Sequence, residues 1–416
     1  KESFQREMNA VDSEFKQSLE SDADRLQELW AFTSKQGHPF KRFTWGNLQS
    51  LRDDPAEHGV DVQEALKQFY ESYYSANLMC LCVVSAATLS DMETMVRTHF
   101  ASVPNRKLPR PTCSSAGPPW SFGAGLGQVY QIIPVKDHAH EIHMTFPTPP
   151  TCVESNHCSS EYALPFSQKT DGYRKRLDEI VGHIIGYEGK GSLLSWLKKK
   201  RLATALTAGC GDEPGGMERS SCCSLFSIGI VLTKQGVSEW ETVVMAVMRC
   251  IRLIQTAAKD AAENNGEQRL RMLFEELKAI GNACWNFQSE ADPCDLSEAY
   301  AELMQHRGVI DHPNDLLYAG HSTLSNSCVW DQKQFQAYVS YFVPKNCRID
   351  IFSSSFKKEK TIDNVQASGD FPSKWLTEPR FGTQYMYSNF DEKMLINMYG
   401  DVKNAWDVET KQTSNE

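Results

Sequence analysis

Apolar residues recur at helical spacing through residues 2–30. Successive members lie three, four or seven residues apart, the period that places side chains on one face of a helix. The pattern therefore predicts one long amphipathic helix or two helices in series. Glu7 and Glu14 are two turns apart and should project from the same side, beside the apolar stripe. The stripe consists of Phe4, Met8, Val11, Phe15, Leu19, Leu26 and Trp30.

Downstream, short apolar runs alternate with amphipathic segments, and this order of segments occurs twice. Between the two copies, residues 104–127 are dense in Pro, Gly and Ser, which is typical of a domain boundary or connector. The repetition predicts an α/β (α+β) fold with an internal structural repeat. Buried strands are predicted at 79–87, 128–136, 140–149, 222–232 and 347–355. One helix is predicted to begin at about Asp61, and another to follow a cap at Ser90. Further helices are predicted at 177–185, 240–254, 266–285 and 331–343.

Composition limits the classes of function open to the chain. Its 416 residues suffice for two domains, and a net charge of −10 disfavours nucleic acid and favours a basic ligand. No apolar run approaches the roughly 20 residues needed to span a membrane. Thirteen cysteines without paired C-x2-C spacing favour a reducing, cytoplasmic setting, although Cys152 and Cys158 flank a polar loop and could pair.

The segment REMNAVDSE (6–14) resembles the second metal-binding segment of the pitrilysin/insulysin (insulinase) family of zinc metallopeptidases. Segments at 38–47 (HPFKRFTWGN) and 73–79 (YYSANLM) resemble further family segments in the same order. The resemblance implies that Glu14 is a ligand of one Zn²⁺ and that Glu7 orients a histidine ligand. It also implies tandem homologous metallopeptidase-type domains, each a mixed, mainly antiparallel sheet packed against several helices. The implied division is 1–107 for the C-terminal part of the zinc-site domain, 108–127 for a linker, 128–370 for a second, non-catalytic domain and 371–416 for a connector towards a second half.

The family's first motif, H-x-x-E-H, does not occur in the sequence. In the family it supplies two histidine ligands and the glutamate general base. His140 and His143 are close in sequence, but on a strand they would point to opposite faces and could not share one ion. The chain also begins without Met. We therefore expect a fragment with no catalytic residue of its own, zinc absent or weakly bound, and no peptidase activity alone.

The stretch HIIGYEGKGSLLSWLKKK (183–200) resembles the family's substrate exosite, which anchors one end of a peptide by adding it to a sheet edge. The alternative is a loop whose glycines serve only to allow close packing. Just before this stretch, residues 151–175 read as a surface insertion that could alter access. The implied exosite residues are His183, Tyr187, Glu188, Gly189 and Gly191 on the helix side and Leu206, Thr207, Ala208 and Gly209 on the anchor strand.

Two functions from different classes fit this sequence. The first is a zinc metalloendopeptidase that cleaves peptides in an enclosed chamber by a zinc-activated water. The second is a non-catalytic homologue that binds peptides or forms the core of a larger complex. The expected partners are peptide substrates, the remaining parts of a longer parent chain and a second copy in a homodimer.

Overall fold

A computed structural model describes residues 2–111, 116–136, 140–150, 177–211, 218–220, 222–259, 266–305, 316–319, 328–357 and 374–399. Among the residues so described, no helix is long and apolar enough to cross a membrane. The helices are α1 Glu2–Ser18, α2 Asp22–Phe32, α3 Asp54–Glu57, α4 Val62–Tyr73, α5 Leu89–Phe100, α6 Leu177–Gly186, α7 Leu193–Lys199, α8 Lys234–Ser238, α9 Trp240–Lys259, α10 Gly266–Asn286, α11 Pro293–Leu303, α12 Leu316–Ala319, α13 Gln332–Val339 and α14 Glu392–Tyr399. The strands are β1 Ser121–Phe122, β2 Gly125–Leu126, β3 Gln128–Ile132, β4 His140–Thr148, β5 Ala203–Gly209, β6 Ser224–Leu232, β7 Arg348–Ser353, β8 Leu376–Thr377 and β9 Gln384–Asn389.

The opening amphipathic segment forms two helices in series, α1 and α2. The chain leaves helical geometry between them, and the side chain of Ser21 caps α2 by accepting a hydrogen bond from the Asp24 amide. Met8 and Phe15 of α1 are buried, as the apolar stripe requires. The same stripe continues on α2, where Trp30 is almost fully buried.

A seven-stranded sheet, in the order β5-β6-β4-β7-β3-β9-β8, organises the rest of the described chain. The β3–β7 pair is parallel and the other pairs of this sheet are antiparallel. This confirms the mixed, mainly antiparallel sheet packed against helices. Because β5 ends the order, its outer edge is paired with no strand among the described residues. The β3–β9 pair places Tyr130 opposite Tyr387 near the other end of the sheet.

The two faces of the sheet pack against different elements. Ile142 and Ile230 point to one face and belong to the main core, which is closed by α6, α9 and α13. Side chains on the other face pack beneath α2, where Trp30 and Trp120 meet edge to face with centroids 6.0 Å apart. Successive side chains of a strand point to opposite faces of the sheet, so each strand contributes residues to both cores. One face of the sheet is therefore covered by α6, α9 and α13, and the other by α2.

A buried ion pair holds α2 over the sheet. Arg348 donates to both carboxylate oxygens of Asp350 at 2.9–3.0 Å, and both side chains are fully buried. The Trp30 indole N–H donates to Asp350 at 2.8 Å, and Arg348 donates to the Thr33 hydroxyl at 2.7 Å. Tyr130 stacks beneath the guanidinium at 3.7 Å. These contacts place α2 as a wall above the sheet.

The predicted buried strand at 79–87 is wrong. That stretch forms no strand, and Leu81 is 44% exposed. A strand needs a partner for its backbone hydrogen bonds, and the described residues provide none here. The apolar stripe of α4, including Phe69, also stays exposed. The cap of α5 is Thr88 rather than Ser90.

The predicted connector at 371–416 contributes β8 and β9 to the seven-stranded sheet and α14 to its core. Its loop also reaches back to α2, where Arg380 pairs with Glu28 at 2.6 Å. This part of the segment thus packs with the seven-stranded sheet, and the division of the chain into domains and a connector stays a prediction. The predicted insertion at 151–175, with the suggested Cys152–Cys158 pair, lies outside the described residues.

Candidate functional site

A cleft of about 920 Å³ lies between α2, α6 and the β5 end of the sheet. Three consecutive residues of β5 line it, Thr207, Ala208 and Gly209. Neighbouring residues of a strand point to opposite faces, so a cavity that touches all three borders the edge of the strand. From the helix side, the cleft is lined by His183, Tyr187 and Glu188 of α6 and the turn after it.

The structure therefore brings six of the nine predicted exosite residues to one cavity. Leu206 lines no part of it and is buried in the main core. Gly189 lies under the Tyr187 ring, where an added Cβ would meet the phenol. Gly191 has φ +87°, a backbone conformation that favours glycine, in the turn that leads into α7. The two glycines shape the turn, Leu206 packs in the core, and the other six predicted residues face the cavity.

The spacing between α6 and β5 depends on Gly182, which sequence reasoning missed. An added Cβ at this helical position would lie 2.7 Å from the carbonyl oxygen of Ala208, which is backbone and cannot rotate away. The absence of a side chain lets the helix approach the strand closely. Gly182 directly precedes His183, but its role becomes visible only when α6 and β5 are seen side by side.

Acidic side chains dominate the charge of the cleft. Among its lining residues, carboxylates outnumber Lys and Arg by six to two. The lining therefore favours cationic groups, in agreement with the net charge of the chain. Glu188 is exposed and lies 4.0 Å from Lys198, which is too loose a pair to neutralise it. The six acids are Asp22, Glu141, Asp178, Glu179, Glu188 and Glu218, and the two bases are Lys136 and Arg219.

Arg219 ties the far end of β5 to the first turn of α6, a set of contacts that the sequence did not reveal. Its guanidinium lies 2.7 Å from Asp178, whose side chain is only 1% exposed, and donates to Glu179 at 3.4 Å. It also donates to the Gly211 carbonyl at 2.9 Å. Burial raises the pKa of the nearby Cys210 thiol well above its ordinary value, so this lining thiol stays protonated.

Glu7 and Glu14 are both exposed on α1, on the side flanked by the buried Met8 and Phe15. Two carboxylates on one helical face are suitable donors for a zinc site but supply too few ligands to complete one. No group of three His, Cys, Asp or Glu side chains able to hold a metal occurs among the described residues. The described part of the chain therefore has carboxylates that could serve as part of a metal site, but it does not contain a complete set of ligands.

The two histidines of β4 point to opposite faces of the sheet, as predicted. His140 hydrogen-bonds through Nδ1 to the Ser353 hydroxyl at 3.0 Å. His143 contacts Glu141 through Nε2 at 3.3 Å on the cleft side. They cannot bind one ion together. The Glu141 contact lowers the pKa of that carboxyl, chiefly through the hydrogen bond from His143.

The sheet and the helices packed on it have the pitrilysin-like fold, and the chain belongs to the pitrilysin/insulinase (peptidase M16) family. Residues 61–265 match the family described as Peptidase M16 inactive domain. A nardilysin-like protein of Arabidopsis thaliana is 33% identical over 385 residues, covering 92% of this chain and 32% of that protein. Insulin-degrading enzyme of Homo sapiens is 27% identical over 391 residues, covering 94% and 32%.

The crystal structure of pitrilysin shares the fold, with a TM-score of 0.71 at 21% identity, over 96% of this chain and 36% of that one. The chain spans about a third of the length of the curated relatives it matches. The match is to members of a peptidase family, and the fold class predicted from the sequence is confirmed.

Proposed function

We propose that this chain is the peptide-anchoring portion of a zinc metalloendopeptidase of the insulysin type. The observation that carries the proposal is the outer edge of β5, which pairs with no strand in the part of the chain that the structure describes and borders an acidic cleft. An extended peptide can add to such an edge as one more strand, through backbone hydrogen bonds that do not depend on its sequence. The packing of α6 against β5 holds that edge in place.

The charge of the cleft should determine which peptides bind at the β5 edge. Glu188 is exposed at the helix side of the cleft, within the acidic lining. A peptide's free amino terminus or a basic side chain would be attracted there, whereas an acidic peptide would be repelled. We infer that extended peptides with a positively charged end are the preferred ligands.

Backbone pairing at β5 can be tested on the peptide, without changing the protein. Alternate amides of a strand point to opposite sides, so only one alternate set can bond to β5. An unstructured, fluorescent basic peptide should bind the 416-residue chain in an anisotropy titration. N-methylation of one alternate set should weaken the Kd by at least about tenfold, and methylation of the other set should change it little. Equal effects of the two sets, or no binding of any peptide, would contradict the proposal.

The charge contribution has a matched pair of variants. Glu188→Gln should weaken binding of the basic peptide severalfold, and acetylation of the peptide's amino terminus should reduce this difference. Glu241→Gln changes an exposed glutamate on α9 that does not line the cleft, and should leave the Kd unchanged. The effect of Glu188→Gln should also shrink in high salt, because salt screens exposed charges.

Catalysis in this proposal needs a zinc ion, to which Glu14 would donate a carboxylate. When bound, the metal supplies a water activated for attack on a peptide carbonyl. Glu7 would fix the orientation of another ligand by hydrogen bonding. The remaining ligands and the general base would come from parts of a longer protein, which is consistent with the length of the relatives. A cytoplasmic location stays a prediction from the cysteine pattern.

A non-catalytic peptide-binding homologue is the second candidate, favoured by the match to a family described as an inactive domain. Zinc content distinguishes the two candidates. A longer natural form of the protein should hold about one zinc per chain and lose it on Glu14→Gln, while keeping its affinity for peptides. Absence of zinc from the longer form, with peptide binding intact, would favour the non-catalytic homologue.

A further inference from the structure

A group of cations lies where α7 ends and the chain turns into β5. Residues 198–201 are four consecutive exposed Lys or Arg, and Lys199 is the last residue of α7. The hydroxyl of Thr233, just before α8, donates to the carbonyl of Arg201 at 2.6 Å, which brings the exposed Lys234 next to this turn. None of these residues lines the cleft. We define the basic surface as Trp196, Lys199, Lys200, Arg201 and Lys234.

This part of the sequence is basic although the chain as a whole is acidic. Residues 189–211 and 224–238 contain six Lys or Arg and no Asp or Glu, whereas the net charge of the chain is −10. The nearby acids are Glu188, which lies 4.0 Å from Lys198, and Glu239, which accepts a hydrogen bond from Gln235. In the part of the chain that the structure describes, the four cations of the basic surface form no ion pair. The surface therefore keeps an excess of positive charge.

The dipole of α7 explains only part of this pattern. Cations are favourable near the C-terminal end of a helix, which accounts for Lys198 and Lys199. Arg201 lies beyond that end, and Lys234 opens α8, where the same effect disfavours a cation. The cations outside α7 therefore need a different explanation.

Arg201 has a backbone conformation that normally takes glycine. Its φ is +59°, and it directly follows Lys200, the C-cap of α7, a position where Gly or Asn is usual in this left-handed region. The turn is fixed, because the Leu202 amide donates to the Leu197 carbonyl at 3.0 Å. An arginine here costs free energy that a glycine would not. The fold thus carries a cation at this position at a cost in stability, as is common for residues that bind a ligand.

An exposed tryptophan lies among these cations. Trp196 is 39% exposed, and the ammonium of Lys200 lies 5.9 Å from its ring centroid. Lys199 is three residues further along α7 and therefore shares this face of the helix. Tryptophan concentrates at the boundary between lipid headgroups and acyl chains, because its ring is apolar and its N–H is polar. A tryptophan among unpaired cations therefore suits the surface of an anionic membrane.

We propose that the basic surface attaches the protein to the anionic headgroups of a membrane surface, with the Trp196 ring at the boundary between headgroups and acyl chains. The acidic net charge does not prevent this, because exposed charges more than about 8 Å away are largely screened at physiological salt. Each cation near such a membrane strengthens attachment about fivefold, so four cations give a reversible attachment. The inference is independent of peptide anchoring on β5.

Vesicle flotation tests the attachment. The 416-residue chain is mixed at physiological salt with vesicles of phosphatidylcholine, either alone or with about one third phosphatidylserine. The anionic lipid should raise the bound fraction, and high salt should return it to the value for neutral vesicles, because salt screens exposed charges. The neutral vesicles also measure any attachment through the exposed apolar side chains of α4.

Two sets of variants assign the attachment to the basic surface. Lys199→Gln combined with Lys200→Gln should weaken attachment to the anionic vesicles about 25-fold, and Trp196→Gln should weaken it severalfold. Lys259→Gln combined with Arg271→Gln is the matched control. It also removes two exposed cations, but at the far end of α9 and on α10, and should leave attachment unchanged.

Arg201→Gly separates attachment from stability. Attachment should weaken about fivefold. The midpoint of urea unfolding should stay the same or rise, because glycine adopts the left-handed conformation without strain. An arginine with a purely structural role would give lower stability and unaltered attachment.

Three results would overturn the proposal. One is a bound fraction that does not depend on the anionic lipid, and another is a Lys199/Lys200 double variant that attaches as well as the unaltered chain. The third is binding of inorganic polyphosphate without attachment to any anionic vesicle, which would assign the basic surface to a soluble anion. Peptide anchoring on β5 is measured without vesicles and stands or fails separately.

Discussion

At the scale of single residues, Glu28 is the group whose charge state the fold alters most clearly. Glu28 lies on α2, and burial of its carboxyl raises its pKa to about 7. The nearby Arg380 lowers the pKa and offsets only part of that effect. The folded protein therefore holds this proton more tightly than the unfolded chain, whose glutamate titrates near 4.5. The free energy of unfolding should fall as pH rises between these two values.

Glu28→Gln should remove this pH dependence, since an amide keeps an acceptor for Arg380 and does not titrate. Urea unfolding at several pH values measures the pH dependence of the free energy of unfolding for both proteins. The difference in unfolding free energy, unaltered chain minus variant, should decrease from about pH 4.5 to about 7 and stay constant above. The exposed Glu241→Gln provides the control, with no such slope expected. A difference that is flat, or that grows with pH, would show that Glu28 is ionised in the folded state.

At the scale of elements, two runs predicted as buried strands had different outcomes. The run at 140–149 forms β4, because β6 and β7 pair with its two edges. The run at 79–87 is richer in apolar residues and nevertheless forms no strand. Periodicity reports which side chains prefer burial but not whether a partner strand is present. Strand prediction therefore succeeded only where the described chain supplies the partners.

The candidate site divides in the same way. Sequence resemblance led to Tyr187, Glu188 and the β5 residues 207–209, which the fold brings to one cleft. It did not lead to Gly182 or Arg219, because their contacts join elements whose packing is not encoded in any short segment. Whether Glu14 binds zinc stays a prediction. Local motifs indicate which residue types take part, whereas close approaches and charge clusters depend on tertiary structure.

At the scale of the whole molecule, α4 and residues 79–84 expose several large apolar side chains, which we call the apolar face. Leu66 and Phe69 of α4 are 55% and 52% exposed, and Leu81 and Val83 are 44% and 42% exposed. Exposed apolar side chains in such numbers favour association, and an unpaired extended segment can act as a template for another chain. We therefore expect the 416-residue chain to self-associate through this face, which would account for the predicted homodimer.

Sedimentation velocity over a hundredfold range of concentration tests this expectation. The unaltered chain should shift from monomer to dimer, and Phe69→Lys combined with Leu81→Lys should keep it monomeric, because burying two ammonium groups opposes the contact. Leu253→Lys is the matched control, since Leu253 is 71% exposed on α9, which packs against the seven-stranded sheet. If the unaltered chain stays monomeric throughout, a second copy does not cover this face. A longer natural form that stays monomeric while the 416-residue chain dimerises would show that neighbouring parts of the same protein cover it instead.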